Sequence, residues 1–455
     1  MSLTPKIAAT ASALLLGTLL AGAGTLPASA ADADGLWYYN NYDLKSVHDA
    51  GYTGAGLTIA VLDGPLNRSI PQLTDADITI GKDSYCGDST RGGAVTPAVS
   101  DDYRLAVNGT NVVQLLVGNG APNGGVPTQI GIVPDASILY FATTNRLSKA
   151  NQTCNEPNVK PVDTSVDSSA NATAAAAGIE AALDGGADFI LVSEPNFLDS
   201  PALIDAVQRS LVEKVPIIVP RTQSADVSRG ISQLSGIVTV QSKGADGRIQ
   251  ASSERPDVYI SITAPGAGIV STDVGSGVDR ILGSWDVAAP IDNVSAAAAV
   301  TTGFLALAKS KYPDAGGNQL LYSMIRNTTA GWISGNLADL RGGSDSYRGF
   351  GDISLDNLLA IDPTVYDDSF NPLFFDPIGE PTWDAVYPGS YFPADWQYTG
   401  SKGSVNPAPL NDTYDPEVSA LPMSIPVLVG IVLAFLAIVV LVPVLLVVRS
   451  RRKVA

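Results

Sequence analysis

The feature that most constrains this chain is a regular alternation of short β-branched runs with helical patterns, from about residue 36 to residue 363. The runs expected to form buried strands are residues 57–62, 137–142, 188–192 and 215–219. The helical patterns cover residues 111–117, 172–183, 201–212 and 295–309. Strands that alternate with helices form βαβ units, whose strands run parallel and whose helices cover both faces of the sheet. The sequence therefore predicts an α/β domain built on a mostly parallel sheet.

Composition narrows the ligands that such a domain would bind. The chain has 455 residues, of which 45% are hydrophobic, so it can bury a large core. Its formal net charge of −18 argues against nucleic-acid binding, which needs clustered Lys and Arg to neutralise phosphates. Two cysteines and one histidine are too few for a usual zinc site. We therefore expect no nucleic acid, no metal and no cofactor.

The start of the chain predicts export. Lys6 precedes an uncharged apolar run at residues 7–20, and the small residues 28–30 (Ala-Ser-Ala) follow it. A basic residue, a short apolar run and an A-x-A sequence are the three parts of a secretory signal peptide. We therefore expect residues 1–30 to be a signal peptide that is cleaved after Ala30.

Export also bears on the two cysteines, Cys86 and Cys154. An exported chain reaches an oxidising compartment, where an even number of cysteines pairs. A disulfide between them would contribute about 2–4 kcal/mol to stability. We therefore expect a Cys86–Cys154 disulfide.

The other end of the chain predicts a membrane anchor. Residues 425–448 carry no charge, and the tail at residues 449–455 is rich in Arg and Lys. About 20 apolar residues span a bilayer, and basic flanks stay in the cytoplasm. We therefore expect a transmembrane helix at residues 422–448 and a cytoplasmic tail. The protein would then be a single-pass cell-membrane protein whose N-terminal domain is extracytoplasmic.

A segment of different composition separates the domain, assigned to residues 31–363, from the predicted span. Residues 364–421 are rich in Pro, Asp and aromatic residues and show neither strand nor helix periodicity. Segments of this kind act as semi-rigid linkers. We expect its aromatic side chains to pack on the domain rather than to bind a partner.

Two segments in the first half of the domain place polar residues beside glycines. A Gly-rich turn leads into the strand at residues 57–62, which runs into Asp63. The sequence Asn108-Gly109-Thr110 is followed by Gly118, ten positions after the asparagine. A strand end and a helix start are common locations for catalytic side chains in α/β proteins.

Two further segments lie in the second half. Residues 262–272 read Ile-Thr-Ala-Pro-Gly-Ala-Gly-Ile-Val-Ser-Thr. Ser295 follows Asn293 and Val294, begins an Ala-rich helical pattern and precedes Gly303 by eight residues. A serine at a helix N-terminus lies where the helix dipole favours a developing negative charge.

In order and spacing, the four segments resemble those of the subtilisin-like serine proteases, or subtilases. By this resemblance Asp63 has the position of the catalytic aspartate, Asn108 that of the histidine and Ser295 that of the nucleophile. The signal peptide, linker and basic-tailed anchor narrow the resemblance to the mycosins, the membrane-anchored subtilases of type VII secretion systems. It implies a subtilisin-like fold, an extended peptide in the cleft and a membrane secretion complex as partner.

The resemblance also implies damaged catalysis. An asparagine amide can hydrogen-bond to Asp63 but does not accept a proton near neutral pH, and loss of the histidine costs on the order of 10⁶ in kcat in a subtilisin. Subtilases carry an Asn after the strand equivalent to residues 215–220, whereas Arg221, Thr222 and Gln223 follow here. Thr222 and Gln223 are the remaining candidates for the oxyanion donor, whose loss costs roughly 10²–10³ in rate.

Other residues are candidates for a replacement base. His48, the single histidine, lies on a helical approach to the first strand, so we expect it to be structural. Asp101 and Asp102 lie just upstream of Asn108 and are weaker candidates.

Three interpretations follow from these residues. The favoured one is a pseudoprotease that acts as a binding or scaffold element of a secretion complex. The alternative is an active serine endopeptidase that uses Ser295 with an atypical triad. A third is a structural brace that has no peptide cleft.

Overall fold

The computed structural model describes residues 34–81, 87–88, 94–95, 97–123, 125–144, 169–195, 200–221, 230–250, 260–272, 285, 288–329 and 348–374. All of them belong to the first of two units into which the chain divides, Met1–Gly403, and the second unit, Ser404–Ala455, lies outside them. The predicted signal peptide, the predicted membrane span, Cys86 and Cys154 also lie outside the described residues. Among the helices described, none is long and apolar enough to cross a membrane.

The strands and helices follow the predicted alternation. The strands are β1 (Thr58–Asp63), β2 (Ile78–Ile80), β3 (Gly87–Asp88), β4 (Ala94–Val95), β5 (Ser137–Ala142), β6 (Phe189–Val192), β7 (Ile217–Pro220), β8 (Val238–Lys243), β9 (Ile262–Pro265), β10 (Ile269–Ser271) and β11 (Ala289–Ile291). The helices are α1 (Trp37–Asn40), α2 (Leu44–Asp49), α3 (Tyr103–Val117), α4 (Ser169–Asp184), α5 (Pro201–Glu213), α6 (Val294–Lys311), α7 (Gly317–Arg326) and α8 (Leu355–Ala360). The four predicted strands correspond to β1, β5, β6 and β7, and the four predicted helices correspond to α3, α4, α5 and α6.

Seven strands form one sheet in the order β2-β5-β1-β6-β7-β8-β9, and each pairing in it is parallel. This confirms the predicted mostly parallel sheet. β5 lies on one side of β1 and β6 on the other, so the direction of strand addition reverses at β1. At such a reversal the carboxyl ends of the strands leave a crevice in which ligands bind. A functional site is therefore expected at the carboxyl end of β1.

Side chains of each strand point alternately to the two faces of the sheet and so divide the core in two. Ile59 and Val61 of β1 belong to the cluster that includes α3 and α6. Ala60 and Leu62 belong to the cluster that includes α4 and α5. Each fully buried Leu, Ile, Val or Phe contributes about 1.5–3 kcal/mol, so both faces stabilise the sheet. Helices thus cover both faces, as the sequence predicts.

Helix α3 begins at Tyr103, eight residues earlier than predicted. Asp102 caps it, because its Oδ1 accepts a hydrogen bond from the Arg104 N–H at 3.1 Å. The first half of the helix buries polar residues among apolar ones, which obscures the periodicity. The Thr110 hydroxyl donates within the helix to the Ala106 carbonyl at 2.6 Å, whereas the Asn108 amide donates outside it to Asp63.

Packing on the domain continues past the boundary predicted at residue 363. The Asn371 side chain donates to the Gly236 carbonyl at 2.9 Å. Leu373 is buried, and Phe374 packs against the core that α4 and α5 form. The first part of the predicted linker therefore belongs to the fold, which its composition does not reveal because packing depends on individual side chains. Residues 375–421 lie outside the described part of the chain.

Candidate active site

Asp63 ends β1 and continues the series of β1 side chains that face α3. It is fully buried and accepts hydrogen bonds from the Gly64 N–H at 2.6 Å, from Asn108 Nδ2 at 2.7 Å and from the Ser193 hydroxyl. These three donors offset much of the cost of burying a carboxylate. The structure thus places two of the predicted site residues, Asp63 and Asn108, in direct contact.

Asn108 reaches Asp63 because Gly109 allows α3 to approach the sheet closely. A Cβ at Gly109 would lie 2.0 Å from the Tyr140 hydroxyl oxygen and 3.2 Å from the Asp63 Cβ. Tyr140 in turn donates to the Gly64 carbonyl at 2.6 Å. One buried tyrosine therefore lies where β5, the turn after β1 and α3 meet, and the glycine after Asn108 leaves room for it.

Ser295 lies in the first turn of α6, 6% exposed. Its N–H donates to Asn293 Oδ1 at 2.9 Å, so Asn293 is the N-cap of the helix. Its hydroxyl donates to the Ser193 carbonyl oxygen at 2.8 Å. A peptide carbonyl does not take up a proton near neutral pH, so this contact holds the serine as a neutral donor.

The start of α6 is fixed against the turn that follows β9. The Asn293 N–H donates to the Gly266 carbonyl at 2.8 Å. A Cβ at Gly266 would lie 2.7 Å from the Ala297 Cβ and 2.6 Å from the Ser242 hydroxyl oxygen. The glycine in the segment 262–272 is therefore needed for close packing of the helix that carries Ser295.

Asn293 connects the two helices at the site. Its Nδ2 lies 3.5 Å from Asn108 Oδ1, at the outer limit of a hydrogen bond. Asp63, Asn108, Asn293 and Ser295 thus form a continuous series of contacts whose two middle members are primary amides. An amide neither gains nor loses a proton near neutral pH, so this series cannot relay the serine proton as an imidazole does.

From the sequence, neither Ser193 nor the side chain of Asn293 was given a role. The signal for Ser193 is side-chain alternation. Leu62 of β1 pairs with Val192 of β6, so the residue after each of them, Asp63 and Ser193, lies on the same face at the same edge. The signal for Asn293 is the preference of Asn for helix N-caps.

The single histidine is engaged away from the serine. His48 Nε2 hydrogen-bonds to the Ile132 carbonyl oxygen at 2.9 Å. Ile132 lies against Gly303, since a Cβ on that glycine would be 2.6 Å from the isoleucine side chain. Gly303 is eight residues along α6 from Ser295, which is about 12 Å along the helix axis. His48 therefore holds α2 against the core and does not contact Ser295.

The carboxylates upstream of Asn108 also serve the start of α3. The Asp102 carboxylate accepts from the Arg104 guanidinium at 2.6 and 3.0 Å. The Asp101 carbonyl accepts from the Trp285 indole N–H at 2.9 Å. Asn108 lies six residues after Asp102, about 9 Å further along the helix. The Asp102 carboxylate is therefore too distant to replace a base at the position of Asn108.

The predicted oxyanion donors, Thr222 and Gln223, lie just beyond the described residues. β7 carries the chain to the same edge of the sheet, and the Arg221 N–H donates to the Val240 carbonyl at 2.8 Å. Thr222 and Gln223 therefore remain predictions.

A small cavity of about 10 Å³ lies beside the site and has Asn111, Gln129, Ser271 and Asn293 among its lining residues. That volume accommodates about one water molecule. In the part of the chain that the structure describes, no three His, Cys, Asp or Glu side chains are grouped to hold a metal ion.

The chain is similar to known proteins in sequence and in fold. No protein-family model matches the chain. Mycosin-1 of Mycobacterium tuberculosis (strain ATCC 25618 / H37Rv) is 24% identical over 356 residues, which cover 71% of this chain and 74% of the relative.

Solved structures similar to this fold include two of MycP1 and one of fervidolysin. MycP1 from the ESX-1 type VII secretion system gives a TM-score of 0.51 at 21% identity, covering 71% of this chain and 85% of that one. MycP1 from Mycobacterium smegmatis gives 0.52 at 20% identity, covering 73% and 86%. Fervidolysin from Fervidobacterium pennivorans, a keratinolytic enzyme related to subtilisin, gives 0.51 at 19% identity, covering 73% of this chain and 48% of its own.

The parallel sheet, its two helix layers and these structural similarities define a subtilisin-like fold. In sequence the chain is similar to mycosin-1, and in fold it is similar to the MycP1 structures.

Proposed function

We propose that this chain is a membrane-anchored pseudoprotease, a subtilase fold retained for binding or scaffolding in a secretion complex. The observation that supports it best is the hydroxyl of Ser295, which donates to the Ser193 carbonyl at 2.8 Å. A serine nucleophile needs a neighbouring base to take its proton. Between Ser295 and Asp63 the described site holds the amides of Asn293 and Asn108 instead.

The proposed ligand of the site is an extended peptide. An extended segment binds through backbone hydrogen bonds and side-chain pockets, and neither needs a catalytic triad. The carboxyl edge of the sheet, where Asp63 and Ser193 end adjacent strands, is the crevice in which α/β sheets bind ligands. Loss of hydrolysis therefore does not by itself remove a peptide-binding role.

The proposed partner is a membrane secretion complex. Its support is the similarity to mycosin-1 and to the MycP1 structure from a type VII secretion system. The predicted signal peptide and the apolar segment at residues 425–448 support an anchored domain outside the cytoplasm.

Hydrolysis is tested with the full-length protein, a fluorophosphonate probe and a broad peptide library. We expect neither labelling nor cleavage, and no difference between the native chain and Ser295→Ala. Trypsin-like or subtilisin-like enzymes labelled in the same buffer serve as the positive control. Labelling of the native chain that disappears in Ser295→Ala would support the alternative, an active endopeptidase with an atypical triad.

Binding is tested with the same library as immobilised peptides, each paired with a version methylated at alternate backbone nitrogens. We expect selected peptides to bind equally to the native chain and to Ser295→Ala, and methylation to abolish binding because it removes backbone donors. Absence of any binding would favour the third interpretation, a structural brace.

Topology is tested by fusing a reporter that is active only outside the cytoplasm after residue 421 or after residue 455. We expect activity from the first fusion alone, because the basic tail should remain inside. Activity from the second fusion would contradict the proposed orientation.

A further inference from the structure

We infer that the side chain of Asn293 is an inhibitory cap with two roles. It lies between Asn108 and Ser295, and it accepts the hydrogen bond of the Ser295 backbone N–H. The inference rests on the proposed loss of hydrolysis and adds a third substitution to it. The first is Asn108 in the histidine position, and the second is the sequence Arg221-Thr222-Gln223 after β7.

The cap occupies a donor that acyl transfer uses. In serine hydrolases, backbone N–H groups beside the nucleophile stabilise the oxyanion of the tetrahedral intermediate. Here the Ser295 N–H donates to Asn293 Oδ1 at 2.9 Å. In the subtilase pattern that Ser295 matches, the residue two positions before the serine is glycine, which has no side chain to accept this bond. Asn293 therefore directs the N–H to a side chain of the protein itself.

The cap also lies between the two catalytic positions. Asn293 Nδ2 is 3.5 Å from Asn108 Oδ1, while its other amide atom contacts the Ser295 backbone. The serine hydroxyl is directed to the Ser193 carbonyl instead. An imidazole introduced at residue 108 would therefore meet the Asn293 amide before the serine.

Backbone geometry does not require asparagine at this position. Asn293 has φ −142° and ψ 117°, an extended conformation that any residue adopts. Its N–H donates to the Gly266 carbonyl at 2.8 Å, a bond that survives any substitution except proline. Glycine is also tolerated at helix N-caps. Asn293→Gly should therefore leave the start of α6 in place and remove only the side-chain contacts.

The experiment measures the coupling between an introduced imidazole and Ser295. Full-length Asn108→His is labelled selectively at histidine, and the ring pKa is measured by NMR with and without Ser295→Ala. The same pair is then measured in Asn108→His/Asn293→Gly. His48, the single native histidine, is the internal reference. The matched control carries Ser200→Gly in place of Asn293→Gly. This substitution removes the side-chain cap of α5 and leaves Asn293 unchanged.

With Asn293 present, we expect Ser295→Ala to change the introduced ring's pKa by less than about 0.1 unit. With Asn293→Gly, we expect a change of at least about 0.5 unit, roughly threefold in proton affinity. In the Ser200→Gly control, which retains Asn293, we likewise expect Ser295→Ala to change the introduced ring's pKa by less than about 0.1 unit. Coupling with Asn293 present, or no coupling after its removal, would overturn the inference.

A second variant separates the two roles of the cap. Asn293→Ser keeps a side-chain oxygen for the Ser295 N–H but lacks the amide that contacts Asn108. We expect it to restore the coupling, yet to be labelled by fluorophosphonate at most one tenth as fast as Asn293→Gly in the Asn108→His background. Equal labelling would contradict the role assigned to the N–H. Labelling of the native chain, by contrast, would overturn the proposed function and not the position of the cap.

Discussion

The two helix layers that cover the sheet differ in where they place polar groups. The described inner faces of α4 and α5 are mostly apolar, with Ser210 as a buried polar exception. Their ionic groups lie nearer the surface, where Arg209 contacts Glu180, Asp184 and Glu213 at 2.5–2.8 Å. The layer of α3 and α6 instead buries amides and hydroxyls deeply. These are Asn108, Thr110, Asn111, Gln114, Ser295, Thr301 and Thr302.

The difference shows which layer carries the site. A buried polar group costs free energy unless it is hydrogen-bonded, so a layer optimised for stability alone would be apolar. In the layer of α3 and α6, Asn108 contacts Asp63 at the end of β1, and Ser295 contacts Ser193, which follows β6. On the proposed function, this network outlasts catalysis because removing any single member leaves a partner unsatisfied.

The largest losses of stability should come from truncating apolar side chains in the core of either helix layer. Phe304 of α6 and Leu203 of α5 are both fully buried. We expect Phe304→Ala to cost about 3–5 kcal/mol and Leu203→Ala about 2–5 kcal/mol, measured by chemical denaturation of the full-length protein. A cost below about 1 kcal/mol in either variant would show that the layer concerned does not form a core.

The next largest effect should come from a charge placed in the polar layer. Asn108→Asp replaces the donor 2.7 Å from Asp63 Oδ2 by a second carboxyl group. Two carboxylates at this distance cannot both ionise, so the folded state retains a proton that the unfolded state releases. Because the folded state then binds more protons, stability must fall as pH rises.

We expect Asn108→Asp to lose about 3–5 kcal/mol at neutral pH and to recover most of it below about pH 4. Urea denaturation at a series of pH values measures both. Asn108→Ala is the control, with a loss of about 1–3 kcal/mol and a weaker dependence on pH, because it removes a donor to Asp63 without adding a second carboxyl group. A loss in Asn108→Asp that does not vary with pH would contradict the contact with Asp63.

Substitutions of two buried serines, one on each face of the sheet, give a finer comparison. The Ser193 hydroxyl donates to the Asp63 carboxylate, whereas the Ser210 hydroxyl of α5 donates to the Val215 carbonyl at 2.7 Å. Hydrogen bonds to charged acceptors contribute about 1.5–3 kcal/mol and those to neutral acceptors about 0.5–1.5 kcal/mol. We therefore expect Ser193→Ala to be the more destabilising in thermal and chemical unfolding. The reverse order would argue against a charged Asp63.

The smallest effect should come from the surface of the α4 and α5 layer. The Arg209 side chain is 33% exposed, so water and salt partly screen its three ion pairs. We expect Arg209→Ala to change the unfolding midpoint only slightly and to remove part of its dependence on salt concentration. The unfolding midpoint of Arg209→Lys should lie between those of the native chain and Arg209→Ala, because lysine keeps the charge but lacks the planar guanidinium group. A large loss that persists in high salt would show that the arginine also packs.

Much of the fold was predictable because its signals are local. β5 has the predicted bounds, and α5 differs from its predicted range by one residue. The start of α3 was not predictable from periodicity, because its first half buries polar residues, one of which, Asn108, is satisfied by a tertiary contact with Asp63. Packing of aromatic side chains after residue 363 was expected, and Phe374 shows it, but the boundary was placed too early because Pro-rich and aromatic composition is typical of a linker and of a packed segment alike.

The sequence by itself determined the alternating α/β pattern and the location of Ser295 at a helix start, and its resemblance to the subtilases implied the pairing of Asp63 with Asn108. Those features depend on periodicity and motif spacing, which one chain displays directly. Only the tertiary structure decided where the serine hydroxyl and N–H are directed, because their partners, Ser193 and Asn293, depend on how β6 and α6 meet. Hydrogen bonds are short and directional, so the chemistry of this site depends on contacts that no spacing along the chain specifies.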